Sequence, residues 1–229
     1  MRDSLPRLER EIVHCELCPR LREWCREVAR TRRRAYREEQ YWGRPVPGFG
    51  DPRARLLVLG LAPGAHGANR TGRVFTGDAS GEWLFRAMYE AGFASQPASI
   101  HRGDGLTLRD AWVSASVRCA PPGNKPSPAE VAACRPYLER ELALLPRVRC
   151  VVALGRLAFD NYLTILRIQG VAGARAGFRF AHLAEFRPAP GAPVLLASYH
   201  PSRQNTSTRR LTREMLAAVF ARAAAIIEE

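Results

Sequence analysis

Along this chain, apolar and polar positions alternate on the scale of whole elements. Four short apolar runs, residues 55–60, 108–117, 149–154 and 194–199, have the length and β-rich composition of buried strands. They give way in turn to a glycine, an arginine, a Gly-Arg pair and a His-Pro pair. Helical periods separate them at residues 82–91, 127–144, 155–168 and 209–227. The second helix opens with Ser127-Pro128-Ala129-Glu130, a capping box with proline at the first helical position. Strands that alternate with helices predict an α/β fold, a parallel sheet covered on both faces. Residues 1–14 read as a short helix. Residues 20–41 read as a charged one, with Trp24, Val28 and Tyr36 on one face and the arginine-rich 30–34 run on another. Residues 170–192 are rich in glycine and proline, with weak strand character at 178–183, and read as an excursion. A single domain over residues 1–229 is expected, with a cysteine-bearing segment at 1–45.

The informative polar residues gather where the strands end: Gly60 onward, Arg118 onward, Gly155-Arg156, and His200 onward. Open α/β sheets bind their ligands at that carboxyl edge, so the coincidence predicts one shared site. The first of these loops, GLAPGAHGANRTGRVFTGDASG over residues 60–81, is glycine-rich and lets backbone amides approach a ligand closely. His200 stands after a strand and directly before Pro201, which marks it as functional rather than as a satisfied core histidine.

Charge narrows the partner. The formal net charge is +13 with a pI near 10.5, and arginine supplies nearly all of it because Lys125 is the sole lysine. Such an excess attracts polyanions without giving sequence specificity, which points to nucleic acid; the competing explanation is a proteome that uses arginine everywhere. No apolar run reaches the roughly 18 residues of a membrane-spanning helix, and the N-terminus lacks the apolar core of a signal peptide. A cytoplasmic protein without membrane attachment is expected.

Six cysteines in a cytosolic chain suggest ligands or core thiols more than disulfides. Cys25, inside a helix, and Cys150, inside a strand, suit the core. Cys15-x2-Cys18 and Cys119-x14-Cys134 form two pairs whose four thiolates suit tetrahedral zinc or an iron-sulfur cluster, and spacing alone does not separate the two.

Taken together, the 60–81 loop, RCAPPGNKPSPAE, HPSRQNTSTRRLT and the two cysteine pairs resemble the iron-sulfur uracil-DNA glycosylases, most closely family 5 (type b) of thermophiles and actinobacteria. The resemblance runs from Cys15 to about Thr212. It implies a three-layer α/β/α sandwich around a four-stranded parallel sheet. It also implies a [4Fe-4S] cluster on Cys15, Cys18, Cys119 and Cys134, and removal of uracil from DNA by a monomeric, monofunctional enzyme of base excision repair. Related family 4 enzymes carry an acidic residue after the first glycine of the loop, where this chain has Leu61, and an asparagine four residues before the third cysteine, where it has Ala115 flanked by Ser114 and Ser116. Both departures predict looser base selection, extending to deaminated bases such as hypoxanthine.

Breaking an N-glycosidic bond requires stabilising a departing base anion and an oxocarbenium-like sugar on a flipped nucleotide. His200 is the expected hydrogen-bond donor to the leaving base. Asp78, the sole carboxylate of the first loop, is the expected water-positioning residue, with capping of the helix near Ser80 as its competing role. Phe75 is the expected stacking platform. Gly60, Ala62, Ser116, Asn124, Ser202 and Asn205 complete the expected substrate contacts, while His66 and Asn69 face the abasic sugar. The alternative is a non-catalytic metal-cluster module that binds nucleic acid.

Overall fold

The computed structural model describes residues 3–171 and 177–229. Its sheet holds β1 (Phe49–Gly50), β2 (Leu56–Gly60), β3 (Ala111–Ala115), β4 (Cys150–Leu154), β5 (Glu185–Phe186) and β6 (Val194–Ser198), in the order β1-β3-β2-β4-β6-β5. The four central strands are mutually parallel, as expected, with Val58 level with Val113 and Val152, and Val152 level with Leu196. The expected four-stranded sheet is extended by β1 and β5, two-residue edge strands that run antiparallel to β3 and β6. Both are too short to leave a periodic signature, and the strand character expected at 178–183 is realised instead at Glu185–Phe186.

The central strands are buried at every position, so their side chains divide between two cores. Leu56 and Val58 face α4 (Ala79–Glu90) and α8 (Arg213–Glu228), where they meet Leu84, Phe85, Val219 and Phe220. Leu57 and Leu59 face the opposite layer, with Leu138 of α5 (Pro128–Ala143) and Phe159 and Tyr162 of α6 (Arg156–Ile168). The result is a three-layer α/β/α arrangement. On its rim lie α1 (Leu5–Val13), which packs on α5, and α2 (Pro19–Thr31).

The capping box is formed, Ser127 Oγ accepting from the Glu130 amide at 3.2 Å and Glu130 Oε2 accepting from the Ser127 amide at 2.7 Å. The same glutamate receives Arg20 of α2 at 2.7 Å, so a helix cap also ties down the cysteine-bearing segment. The helix expected over 20–41 stops at Thr31, because Arg32 adopts φ 52° and turns the chain into a short 3-10 turn at Arg34–Tyr36. The helix expected from 209 begins only at Arg213, as α8 capped by Thr212, and a five-residue α7 (Arg203–Ser207) capped by Ser202 forms in the stretch before it; Arg209, at φ 57°, separates the two.

A buried ion pair secures the exit from β3. Arg118 donates to Glu141 of α5 at 2.7 Å and to Ser114 at 2.7 Å, with both charged side chains almost fully enclosed. Removing one partner of such a pair strands the other charge in a low-dielectric interior. Glu141→Ala should therefore lower unfolding free energy by about 3–5 kcal/mol in urea titration; a loss under about 1 kcal/mol would show that water reaches the guanidinium.

Candidate active site

The glycine-rich loop leaves β2 at Gly60, forms the one-turn helix α3 (Ala68–Thr71) and delivers Phe75 over the strand end. Phe75 holds a left-handed φ of 53°, a conformation that bulky residues avoid unless their surroundings enforce it. Two glycines make room for it. A Cβ on Gly60 would lie 2.7 Å from the Phe75 ring, and one on Gly81 would lie 1.9 Å from the Phe75 carbonyl. Gly60 thus shapes the site from beneath the aromatic ring.

His200 arrives from the other side, two residues beyond β6. Its ring lies 5.7 Å from that of Phe75, tilted by 31°. Its carbonyl accepts the Asn205 side-chain amide at 2.8 Å. Burial lowers its pKa to about 4, so the imidazole is neutral at physiological pH. A neutral ring keeps one N–H donor and one acceptor for a ligand.

Beside these two rings lies a cavity of about 590 Å³, whose lining includes Ala62, Phe75, Asp78, Asn124, His200 and Ser202 of the expected residues. Asp78 takes the capping role and also lines the cavity. One carboxylate oxygen caps α4 by accepting the Gly81 amide at 3.0 Å, and the other abuts Gly67 on the cavity side. Burial raises its pKa against the lowering effect of the Gly81 and Ser80 amides and of Arg70. Asn124, at φ 58° in the proline-rich loop after β3, supplies an amide to the same space.

Three expected contacts lie elsewhere. Ser116 is fully buried, and its hydroxyl has no hydrogen-bond partner among the described residues. Asn205 braces the His200 turn from outside the cavity, and Asn69 points inward to the Cys25 carbonyl at 3.3 Å. Of the pair expected at the sugar, only His66 lines the cavity. Its Nδ1 is 3.1 Å from the Tyr41 hydroxyl, and burial followed by the charges of Arg33 and Arg70 lowers its pKa.

Arg203, from the stretch after His200, also lines the cavity, and so do Arg33 and Tyr36, which sequence reasoning did not place there. Tyr36 and the arginine run were assigned to two faces of one helix, and only the break at Arg32 turns both toward the site. Arg70 fixes that wall: its guanidinium lies 4.0 Å from the Tyr36 ring and bonds Glu39, the His66 carbonyl and the Gly77 carbonyl.

The two cysteine pairs meet at the back of the loop. Cys18, Cys119 and Cys134 pack with Leu21, Cys25, Val117, Ala62 and Ala65, and Cys15 lies within electrostatic range of Cys18 and Cys134. Ala62 belongs both to this apolar pocket and to the cavity. Burial pushes the Cys134 thiol up to about 12 and raises that of Cys18, so thiolates here need positive charge to exist. Among the described residues no three Cys, His, Asp or Glu side chains close on the position of one metal ion. Four thiols gathered at one apolar pocket are a donor set that fits either a zinc ion or an iron-sulfur cluster.

The neutral state of His200 gives a direct expectation. Followed by NMR, its ring resonances should stay untitrated from pH 8 to pH 5, and a midpoint near 6.5 would contradict its burial. Between about 6.5 and about 4 the unfolded chain takes up the proton and the folded one does not, so His200 makes stability drop as pH is lowered through that window.

Residues 47–224 match the profile of the Uracil DNA glycosylase superfamily. The chain is 54% identical over 209 residues to the Type-5 uracil-DNA glycosylase of Thermus thermophilus, covering 91% of this chain and 92% of that protein. It is 48% identical over 218 residues to that of Mycobacterium leprae, covering 95% and 93%. It is 47% identical over 214 residues to that of Pyrobaculum aerophilum, covering 93% and 89%. On its fold and on this likeness along nearly its whole length, the chain belongs to the uracil DNA glycosylase superfamily.

Proposed function

We propose that this protein is a uracil-DNA glycosylase that hydrolyses the N-glycosidic bond of a flipped nucleotide in base excision repair. The observation that carries the reading is a neutral, half-buried His200 packed beside Phe75 at the wall of a cavity, in a chain about half identical to Type-5 uracil-DNA glycosylases. Phe75 stacks the extruded base, while the His200 N–H stabilises charge that develops on uracil O2 as the bond breaks. The Asp78 oxygen not used for capping α4 orients water toward C1′ or steadies the cationic sugar. Arg33 and Arg203 at the cavity, with Arg209 and Arg210 beyond it, contact phosphates and so fix position without reading sequence.

The reading extends to other deaminated bases such as hypoxanthine. The position of the family 4 acid holds Leu61, and that of its base-reading asparagine holds Ala115, buried at the end of β3. Cys15, Cys18, Cys119 and Cys134 would hold a [4Fe-4S] cluster, which supplies a structural link between α2, the β3 exit and α5. The net charge of +13 and the lack, among the described residues, of a helix long and apolar enough to cross a membrane accord with a cytoplasmic monomer acting on DNA.

Excision from uracil- and hypoxanthine-containing duplexes, read as alkali-labile strand breaks, tests this. The wild type should cleave both, and His200→Ala should be slower by about 100- to 1,000-fold with nearly unchanged duplex affinity. Normal turnover by the variant would refute the role of His200, and activity on uracil alone would remove the broad-specificity element. A purified protein with no broad visible absorbance and no bound iron would remove the cluster.

A further inference from the structure

The excursion between α6 and β6 plays no part in the account so far, and its described half, residues 177–192, is well anchored. Phe178 and Phe186 pack at 5.3 Å between ring centroids, and Phe180 and Phe186 both rest on Phe159 of α6, at 5.6 and 5.5 Å. Its backbone then follows β6, the Leu183 amide donating to the Ala197 carbonyl at 2.8 Å and the Ala197 amide to the Ala184 carbonyl at 2.9 Å. This brings His182 to the residue that precedes His200. The His182 ring stacks on Tyr199 at 5.2 Å and 30°, and its Nδ1 accepts the Tyr199 backbone N–H at 3.3 Å.

The turn that aims His200 is therefore held on both sides, by His182 at the Tyr199 amide and by Asn205 at the His200 carbonyl. We infer that His182 is a positioning residue for His200, its unprotonated Nδ1 fixing the Tyr199 peptide and hence the direction in which the next side chain leaves the sheet. Protonation of Nδ1 turns an acceptor into a donor that faces another N–H, and the turn loosens. The inference rests on the glycosylase reading, because it assigns a purpose to the aim of His200.

The surroundings of His182 permit such titration. Tyr199 faces it from the end of β6, and the Arg210 guanidinium lies 4.8 Å from the far-reaching Tyr199 ring. From α8 the Met215 backbone approaches Nε2 without completing a hydrogen bond. Glu185, farther along the same segment, is taken by Arg222 at 2.7 Å and by Arg187. Burial lowers the His182 pKa below the ordinary histidine value, against a smaller raising effect of Met215. The folded, bonded form is thus the neutral one, and it is lost as pH falls.

Single-turnover excision from a uracil-containing duplex between pH 5 and pH 8, with the full-length protein, tests the role. His182→Phe keeps the stack and lacks the acceptor, so its rate at pH 8 should fall about tenfold or more at unchanged duplex affinity. His182→Asn places an oxygen near the Nδ1 position and does not titrate. It should stay within about twofold of wild type at pH 8 and extend full activity further into acid, toward the range where His200 itself titrates. Wild-type rate in His182→Phe, or identical pH profiles for wild type and His182→Asn, would overturn the inference. If His182→Phe does not fold, the comparison of those two pH profiles decides alone. A wild-type protein without any excision activity overturns the glycosylase reading itself, which the failure of a His182 variant does not.

Discussion

Phe75 against His200 is the contact on which the site depends. One residue comes from the loop after β2 and the other from the end of β6, strands separated in the sheet by β4. Bringing them together requires a glycine where β2 ends, a second where Phe75 crosses the start of α4, and a left-handed backbone at Phe75 itself. The local strain is tolerated because the ring is enclosed by the first core and by His200, so packing rather than propensity sets the conformation. The same enclosure keeps the imidazole neutral. Orientation, stacking surface and protonation state thus follow from one packing arrangement.

Behind this contact the loop is shared with the thiol pocket. Ala62 faces both, and Asn69 binds the Cys25 carbonyl of α2, so displacement of the cysteine-bearing segment would shift the cavity wall. That segment is held electrostatically at separate points: Arg20 on the α5 capping glutamate, and Arg70 between Glu39, Tyr36 and the glycine loop. Arginine is therefore not only a cationic coating. Arg70, Arg73 and Arg118 are buried and bonded within the fold, whereas Arg33 and Arg203 lie at the cavity and Arg209 and Arg210 are exposed beyond it.

Much of this was legible in the sequence because the relevant forces are local or periodic. Uniform burial wrote the four central strands as apolar runs, and the Ser127-Glu130 box marked the start of α5. Cys-x2-Cys and the proline loop announced a thiol pocket, and His200 announced itself by standing between a strand and a proline. What stayed hidden depends on single backbone angles or long-range packing. Nothing in the arginine run signals that Arg32 takes a positive φ and that Tyr36 therefore reaches the cavity. Ser116 looked like a base contact by its place after β3, yet it is buried beneath the loop. Asn205 read as a DNA contact, and it is a brace, because its amide finds the His200 carbonyl first.

The most direct measurement is a crystal structure of the protein with uracil and an abasic-site duplex. The account predicts uracil lying flat on Phe75 inside the cavity, its O2 within hydrogen-bonding distance of a His200 ring nitrogen and the abasic sugar near Asp78. Uracil bound elsewhere, or held with its O2 turned away from His200, would contradict it.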